Sequence, residues 1–108
     1  MVIRKSVRLS SINSMIATLT IHLHIPMCAS LKEKRGRIKP LLARLHREFN
    51  VSAAETDLQD TWQQAVIACA MVGNERGHLE SALQNVAKWV EGNWTDGDVM
   101  EQRIEVIG

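Results

Sequence analysis

Basic side chains concentrate in residues 32–47, and they are the groups in this sequence best suited to chemistry. Seven bases stand there against a single acid, which gives the segment a net charge of +6. They are Lys32, Lys34, Arg35, Arg37, Lys39, Arg44 and Arg47. Cations gathered on one element can contact successive phosphates, with an affinity that falls as salt rises. We interpret all seven as candidate phosphate contacts to RNA. The alternative is a solvated helix face whose bases pair with acids elsewhere in the domain.

The C-terminal part of the chain carries the opposite charge. Residues 1–31 hold three bases and no acid, whereas residues 48–108 hold three bases and eleven acids, a net charge of −8. The 108 residues together carry only +1. This asymmetry suits an anionic partner that meets one face of the protein.

Two histidines, His22 and His24, lie two residues apart in a strand pattern and so point to the same side. Such a pair can chelate Zn²⁺ or Cu²⁺ where a third ligand joins it. No further Cys or His pair in the sequence completes a site. We therefore predict no metal and interpret the two as surface or dimer-interface histidines.

Other reactive residues do not form a catalytic motif. Glu55, Asp57 and Asp60 could act as acid–base groups or hold Mg²⁺, but their position beside a turn is typical of turn chemistry, in which Asp60 accepts from the backbone amides that follow it. The two cysteines, Cys28 and Cys69, are too few for a disulfide framework, and we expect them to be reduced. The sequence has no nucleophile or phosphate-loop motif. We expect a non-enzymatic protein without catalytic residues or cofactors.

The elements that position these groups follow from the spacing of apolar residues. Residues 17–25 alternate between apolar and polar side chains, which predicts a strand with one buried face. Ser30 and Glu33 predict a capping box, in which the serine accepts from the Glu33 amide and the glutamate accepts from the Ser30 amide. The helix that follows has an apolar stripe. Pro40, opposite the stripe, predicts a kink that faces solvent.

Three more strands and a second helix complete the pattern. Residues 51–56 predict a short edge strand, residues 63–72 a central strand, and residues 99–107 a last strand. Apolar residues at helical spacing over 79–90 predict a second helix, with Asn74 as its N-cap. We interpret Trp62, at a strand start, as packing and Trp94, in a loop, as the more exposed tryptophan.

The order β-α-β-β-α-β predicts an α+β fold, a ferredoxin-like split sandwich with a four-stranded antiparallel sheet and two helices on one face. We assign residues 15–108 to this single domain. Residues 1–14 lack a regular period and are assigned to a disordered or non-native tail, with a signal peptide as the competing interpretation. Residues 9–31 are uncharged, but polar side chains interrupt them too often for a membrane span.

The sheet face without helices is a second candidate surface. It would carry Thr18, Thr20, His22 and His24 together with alternate residues of the third strand, such as Ala68, Ala70 and Val72. An open sheet face with apolar residues is a common partner surface. Homodimerisation through this face or through an edge strand is therefore an alternative to RNA binding.

A series of short motifs points to a family. Ser30-Leu31-Lys32-Glu33-Lys34-Arg35 comes first, and Arg47-Glu48-Phe49-Asn50-Val51-Ser52, Ala54-Glu55, Gln59-Asp60 and Trp62-Gln63-Gln64-Ala65 follow in order. In residues 15–107 the chain resembles the YlxP-like proteins, small bacterial proteins of unknown function. Leu58 departs from the family pattern, in which many relatives have His, and residues 1–14 have no counterpart there.

The resemblance implies a ferredoxin-like fold and a cytoplasmic bacterial protein. It also implies a gene that often lies beside those for translation initiation and ribosome-binding factors, but it carries over no catalytic residue. With the basic segment, it predicts a protein associated with structured RNA or the ribosome and not with a membrane. The alternative is a dimeric interaction module that uses the open sheet face and binds no nucleic acid.

Overall fold

Two helices and four strands alternate along the chain. The computed structural model describes residues 14–108, so the predicted tail lies outside the described residues except for Ser14. The elements are β1 (Met15–His24), α1 (Leu31–Glu48), β2 (Ser52–Asp57), β3 (Gln64–Gly73), α2 (Arg76–Asn93) and β4 (Asp98–Ile107). The strands form one antiparallel sheet in the order β2-β3-β1-β4. This confirms the predicted α+β, ferredoxin-like arrangement.

The core lies between the sheet and the two helices. Leu19, Ile21 and Leu23 of β1 are fully buried, as the period-2 alternation predicts. Both helices pack their apolar stripes against the face of the sheet that carries these three residues. The buried apolar residues of the stripes are Ile38, Leu41, Leu45, Leu79, Leu83, Val86 and Val90. α1 lies against β2, whereas α2 lies against β1, β3 and β4. Neither helix of the described chain has the length and apolarity needed to cross a membrane.

The opposite sheet face is open in the part of the chain that the structure describes. The strand register places Ile16 between Val72 of β3 and Ile107 of β4, and all three are exposed. Thr18 and Thr20 pair with Ala70 and Ala68 in the middle of the face, as expected from the sequence. The open face is therefore apolar at the end that holds Ile16 and carries small side chains in the middle.

The helix starts agree with the sequence in one case and differ in the other. At α1 the Glu33 amide donates to Ser30 Oγ at 3.0 Å, but the Glu33 carboxylate accepts from the Ala29 amide at 2.9 Å rather than from Ser30. At α2 the N-cap is Glu75, without a side-chain cap hydrogen bond. The prediction that Asn74 is the N-cap is wrong. The helix begins at Arg76, so the cap position falls on Glu75, one residue after Asn74.

The environments of the two loop tryptophans are the reverse of the prediction. Trp94 is buried, with 7% of its surface exposed, because the end of α2 directs its ring into the core. A Cβ atom at Gly97 would overlap the His24 carbonyl oxygen and approach the Trp94 ring, so only glycine fits there. Trp62, in the loop between β2 and β3, is half exposed at 51%.

Candidate nucleic-acid interface

Helix α1 carries the basic segment and is held with a fixed face toward the core. Its cap at Ser30 satisfies the free amide of Glu33, and Ile38, Leu41 and Leu45 bury the apolar side. Pro40 is exposed on the outer side of the same helix, which runs from Leu31 to Glu48 across it. The orientation of each cation on α1 follows from this geometry.

Three cations form a stripe on the outer surface of α1. Lys32, Arg35 and Lys39 are exposed and are spaced three and four residues apart, which places them on one side of a helix. Within residues 14–108, no acid lies within ion-pair distance of any of them. Their charges therefore face solvent without a counter-charge from the described chain. We call these three residues the cationic stripe.

The other cations at the surface of α1 have partners. Arg37 Nη2 lies 2.8 Å from Glu33 Oε1, and its Nη1 donates to the Asp96 carbonyl at 3.4 Å. The Ala29 amide, and then Arg37, hold the pKa of Glu33 below its ordinary value. The charge on Arg37 is thus largely compensated at neutral pH.

Arg44 stacks on an aromatic ring between the two helices. Its guanidinium carbon lies 4.6 Å from the centre of the Trp89 ring, and Phe49 packs edge-on against the same ring at 5.6 Å. Arginine over tryptophan keeps its charge while its plane is fixed. Arg47 is exposed and lies 3.7 Å from the neighbouring Glu48, a solvated pair of little strength.

Lys34 is the exception in the predicted set, because the structure places it in the core. Only 1% of its surface is exposed. Its ammonium group donates to the carbonyl oxygens of Leu58 and Thr61, both at 2.7 Å, and of Gln64 at 2.9 Å. The expectation that Lys34 contacts phosphate is therefore corrected: its three N–H groups are already used inside the protein.

A carboxylate completes the surroundings of this ammonium. Glu55 Oε2 lies 2.8 Å from Lys34 Nζ and forms an ion pair with it, outside hydrogen-bond geometry, because the carbonyls take the N–H directions. The Gln59 carbonyl is a further acceptor at 3.4 Å. The loop between β2 and β3 is thus folded around the lysine, which joins this loop to α1. We call this arrangement the lysine cage.

The cage also accounts for an unusual backbone conformation. Leu58 has a positive φ of 58°, which is uncommon for a residue with a branched side chain. Its amide donates to Asp57 Oδ1 at 2.8 Å, and its carbonyl accepts from both Lys34 and the Thr61 amide. These bonds hold the turn, in which Asp57 supplies the side-chain acceptor that the sequence predicts for Asp60.

Sequence reasoning missed this role of Lys34, although one signal was present. Lys34 stands four residues before Ile38 and seven before Leu41, so it lies within the apolar stripe. A base at a core position needs several partners. Here the partners are backbone carbonyl oxygens of the loop between β2 and β3. The direction in which a backbone carbonyl points cannot be predicted from the type of its side chain.

The histidines and thiols are placed without a reactive arrangement. His22 Nε2 hydrogen bonds with Gln64 Oε1 at 2.8 Å, and His24 Nδ1 lies 3.6 Å from Asp98 Oδ2. Within residues 14–108, no group of three or more His, Cys, Asp or Glu side chains could hold a metal ion. Both cysteines are buried and free, and burial raises the pKa of Cys69 to about 11, which disfavours the nucleophilic thiolate.

The fold and this surface define a small α+β domain with a ferredoxin-like sheet and a basic outer helix. Residues 16–104 match the model of a family described as "Protein of unknown function (DUF503)", and the chain belongs to that family. It is 42% identical over 62 residues to the uncharacterized protein YlxP of Bacillus subtilis (strain 168). The aligned stretch covers 57% of this chain and 67% of that protein. The predicted resemblance to the YlxP-like proteins is confirmed.

Proposed function

We propose that this chain is a non-enzymatic protein that binds the phosphates of structured RNA, alone or in the ribosome, through the outer surface of α1. The observation that carries the proposal is the cationic stripe. Lys32, Arg35 and Lys39 share one side of the helix and have no acid partner in the described chain. Unpaired cations on one face attract a polyanion, whereas paired ones are largely screened.

Arg47 extends this surface, whereas Arg44 lies on the opposite flank of α1, against α2. Arg47 is exposed near the end of α1 with only the weak Glu48 pair, so a phosphate can compete for it. Arg44 is half-buried over Trp89 and is fixed in direction. Arg37 is a weaker candidate, because a phosphate would have to displace Glu33.

The class of RNA follows from what the strands lack. β1 and β3 contain no Phe, Tyr or Trp on which unpaired bases could stack. Sequence-specific recognition of single strands depends on such stacking. A helix that presents only cations is suited to the backbone of a folded RNA, whose shape brings several phosphates together.

The test is a salt titration with matched charge variants of the full chain. The probe is a small-subunit ribosomal RNA fragment, and a single-stranded RNA serves as the comparison. Lys32→Glu/Lys39→Glu should weaken binding and reduce the slope of log K against log salt by about 0.7–0.9 for each lost contact. Arg76→Glu/Lys88→Glu makes the same change of charge on exposed positions of α2 and should leave the slope nearly unchanged.

Either of two results would refute the proposal: equal effects of the two variant pairs, or no affinity of the unaltered protein at low salt. The second would favour the other candidate function, an interaction module that uses the open sheet face. One observation supports that candidate: Ile16, Val72 and Ile107 expose 49%, 73% and 62% of their surfaces in one row across the sheet. Contiguous exposed apolar residues of this kind mark partner surfaces.

A further inference from the structure

The two edges of the sheet are protected to different extents. β2 has six residues, a register shift near its end, and an amide at Ala53 that donates to His46 Nε2 of α1 at 3.0 Å. β4 has ten residues with a register shift at Met100, and its regular part, residues 101–107, has no other strand of residues 14–108 on its outer side. An unpaired edge of this length is a template for another strand unless its side chains oppose pairing.

The side chains of β4 that face the open side of the sheet alternate in charge. Glu101, Arg103 and Glu105 pair across the sheet with His22, Thr20 and Thr18 and so lie on one face. All three are exposed, and Arg103 Nε lies 2.8 Å from Glu105 Oε1 within the strand. A row of like charges would repel an identical strand, whereas alternating charges match it in antiparallel register.

Of the two antiparallel registers that place Arg103 opposite an acid of a second copy, the one centred on Ile104 keeps the charged pairs farther from the register shift beside Met100. It places Arg103 opposite Glu105 of the second copy, and symmetry repeats the pair, so that four charges alternate around the axis. On the helix side, Ile104 meets its own copy and Val106 meets Gln102. Ile104 and Val106 are half-buried in the single chain, so pairing removes further apolar surface from water.

Helix α2 lies beside this edge and is compatible with a neighbour there. Gln102 Nε2 donates to the Ala87 carbonyl at 3.3 Å and to Glu91 Oε1 at 2.8 Å, so Ala87 is the part of α2 that lies over the centre of β4. Ala87 has a small side chain, and the carboxylate of Glu91 accepts a hydrogen bond from Gln102.

We propose that β4 is a self-association site, where a second copy of this chain adds its own β4 antiparallel and the two sheets join into one of eight strands. The partner is identified by charge complementarity, because the strand matches itself in this register. α1 lies over β2, which forms the opposite edge of the sheet from β4. The contact therefore does not depend on the proposed RNA binding.

The experiment is sedimentation velocity of the full chain over a range of micromolar concentrations. The unaltered protein should form dimers, and Arg103→Glu should weaken the association at least tenfold, because acid then lies opposite acid in both symmetry-related pairs. The exchange Arg103→Glu/Glu105→Arg should restore the dimer, since each new charge again meets its opposite. Circular dichroism checks that these exposed positions leave the fold intact.

Two controls fix the site and the register. The exchange Glu101→Arg/Arg103→Glu keeps the composition but leaves acid opposite acid, so it should stay monomeric. Its recovery would overturn the register centred on Ile104. A monomer at every concentration, or a dimer that is lost with Val72→Asp on the open face and kept with Arg103→Glu, would overturn the edge contact. Lys32→Glu/Lys39→Glu should remain dimeric, which separates this proposal from RNA binding.

Discussion

At the scale of single residues, Lys34 shows how a charge can belong to a protein core. An ammonium group removed from water loses its hydration, and this loss is tolerable only when polar atoms replace the water. Here three carbonyl oxygens within 2.9 Å and the Glu55 carboxylate take that place. The sequence shows that Lys34 lies in the apolar stripe with Ile38, but it does not show where the carbonyl oxygens that bind its ammonium group lie.

Replacing Lys34 with methionine should destabilise the protein strongly. Lys34→Met keeps the length and the apolar stem but leaves a buried carboxylate and several carbonyls without a partner, which costs about 3–5 kcal/mol in the free energy of unfolding. Urea denaturation measures this change. The control Lys32→Met alters an exposed residue on the same helical turn and should change stability by less than about 0.5 kcal/mol. Equal unfolding midpoints for the two variants would contradict the importance of the cage.

At the scale of elements, the sequence predicted the strands and α1 well and the start of α2 less well. Strict alternation predicts β1 to within two residues at its start and one at its end, because only one register buries Leu19, Ile21 and Leu23. Ser30 caps α1 through a local contact that the spacing of Ser30 and Glu33 encodes. Glu75 starts α2 without a side-chain bond, so no residue type marks that position.

Removing the cap of α1 should have a moderate effect. Ser30→Ala deletes the acceptor of the Glu33 amide and should lower the free energy of unfolding by about 1 kcal/mol. Ser81→Ala is the matched control, since Ser81 is exposed in the interior of α2, where alanine is the better helix former. Thermal denaturation of both variants provides the comparison. A Ser81→Ala protein that loses as much stability as Ser30→Ala would exclude a specific role for the cap.

At the scale of the whole molecule, folding distributes the charges of the basic segment among different roles. Lys34 enters the core, Arg37 pairs with Glu33, and Arg44 stacks on Trp89. The sequence shows that this segment has seven bases, but it does not predict their separate roles. Trp89 and the loop carbonyls are brought to α1 only by the tertiary structure. Trp94 illustrates the same limit, since its burial depends on where α2 ends relative to the sheet.

The lysine cage has a consequence for the order in which the chain folds. A hairpin such as β2–β3 is local and would ordinarily be able to form early. Its loop, however, closes on an ammonium group that lies 24 to 30 residues earlier in the chain. Pulse-labelling hydrogen exchange during refolding should therefore find the Thr61 amide protected no sooner than the amides of α1, and earlier protection would contradict this order. The loop that connects two neighbouring strands thus reaches its final structure late in folding, only once α1 has docked.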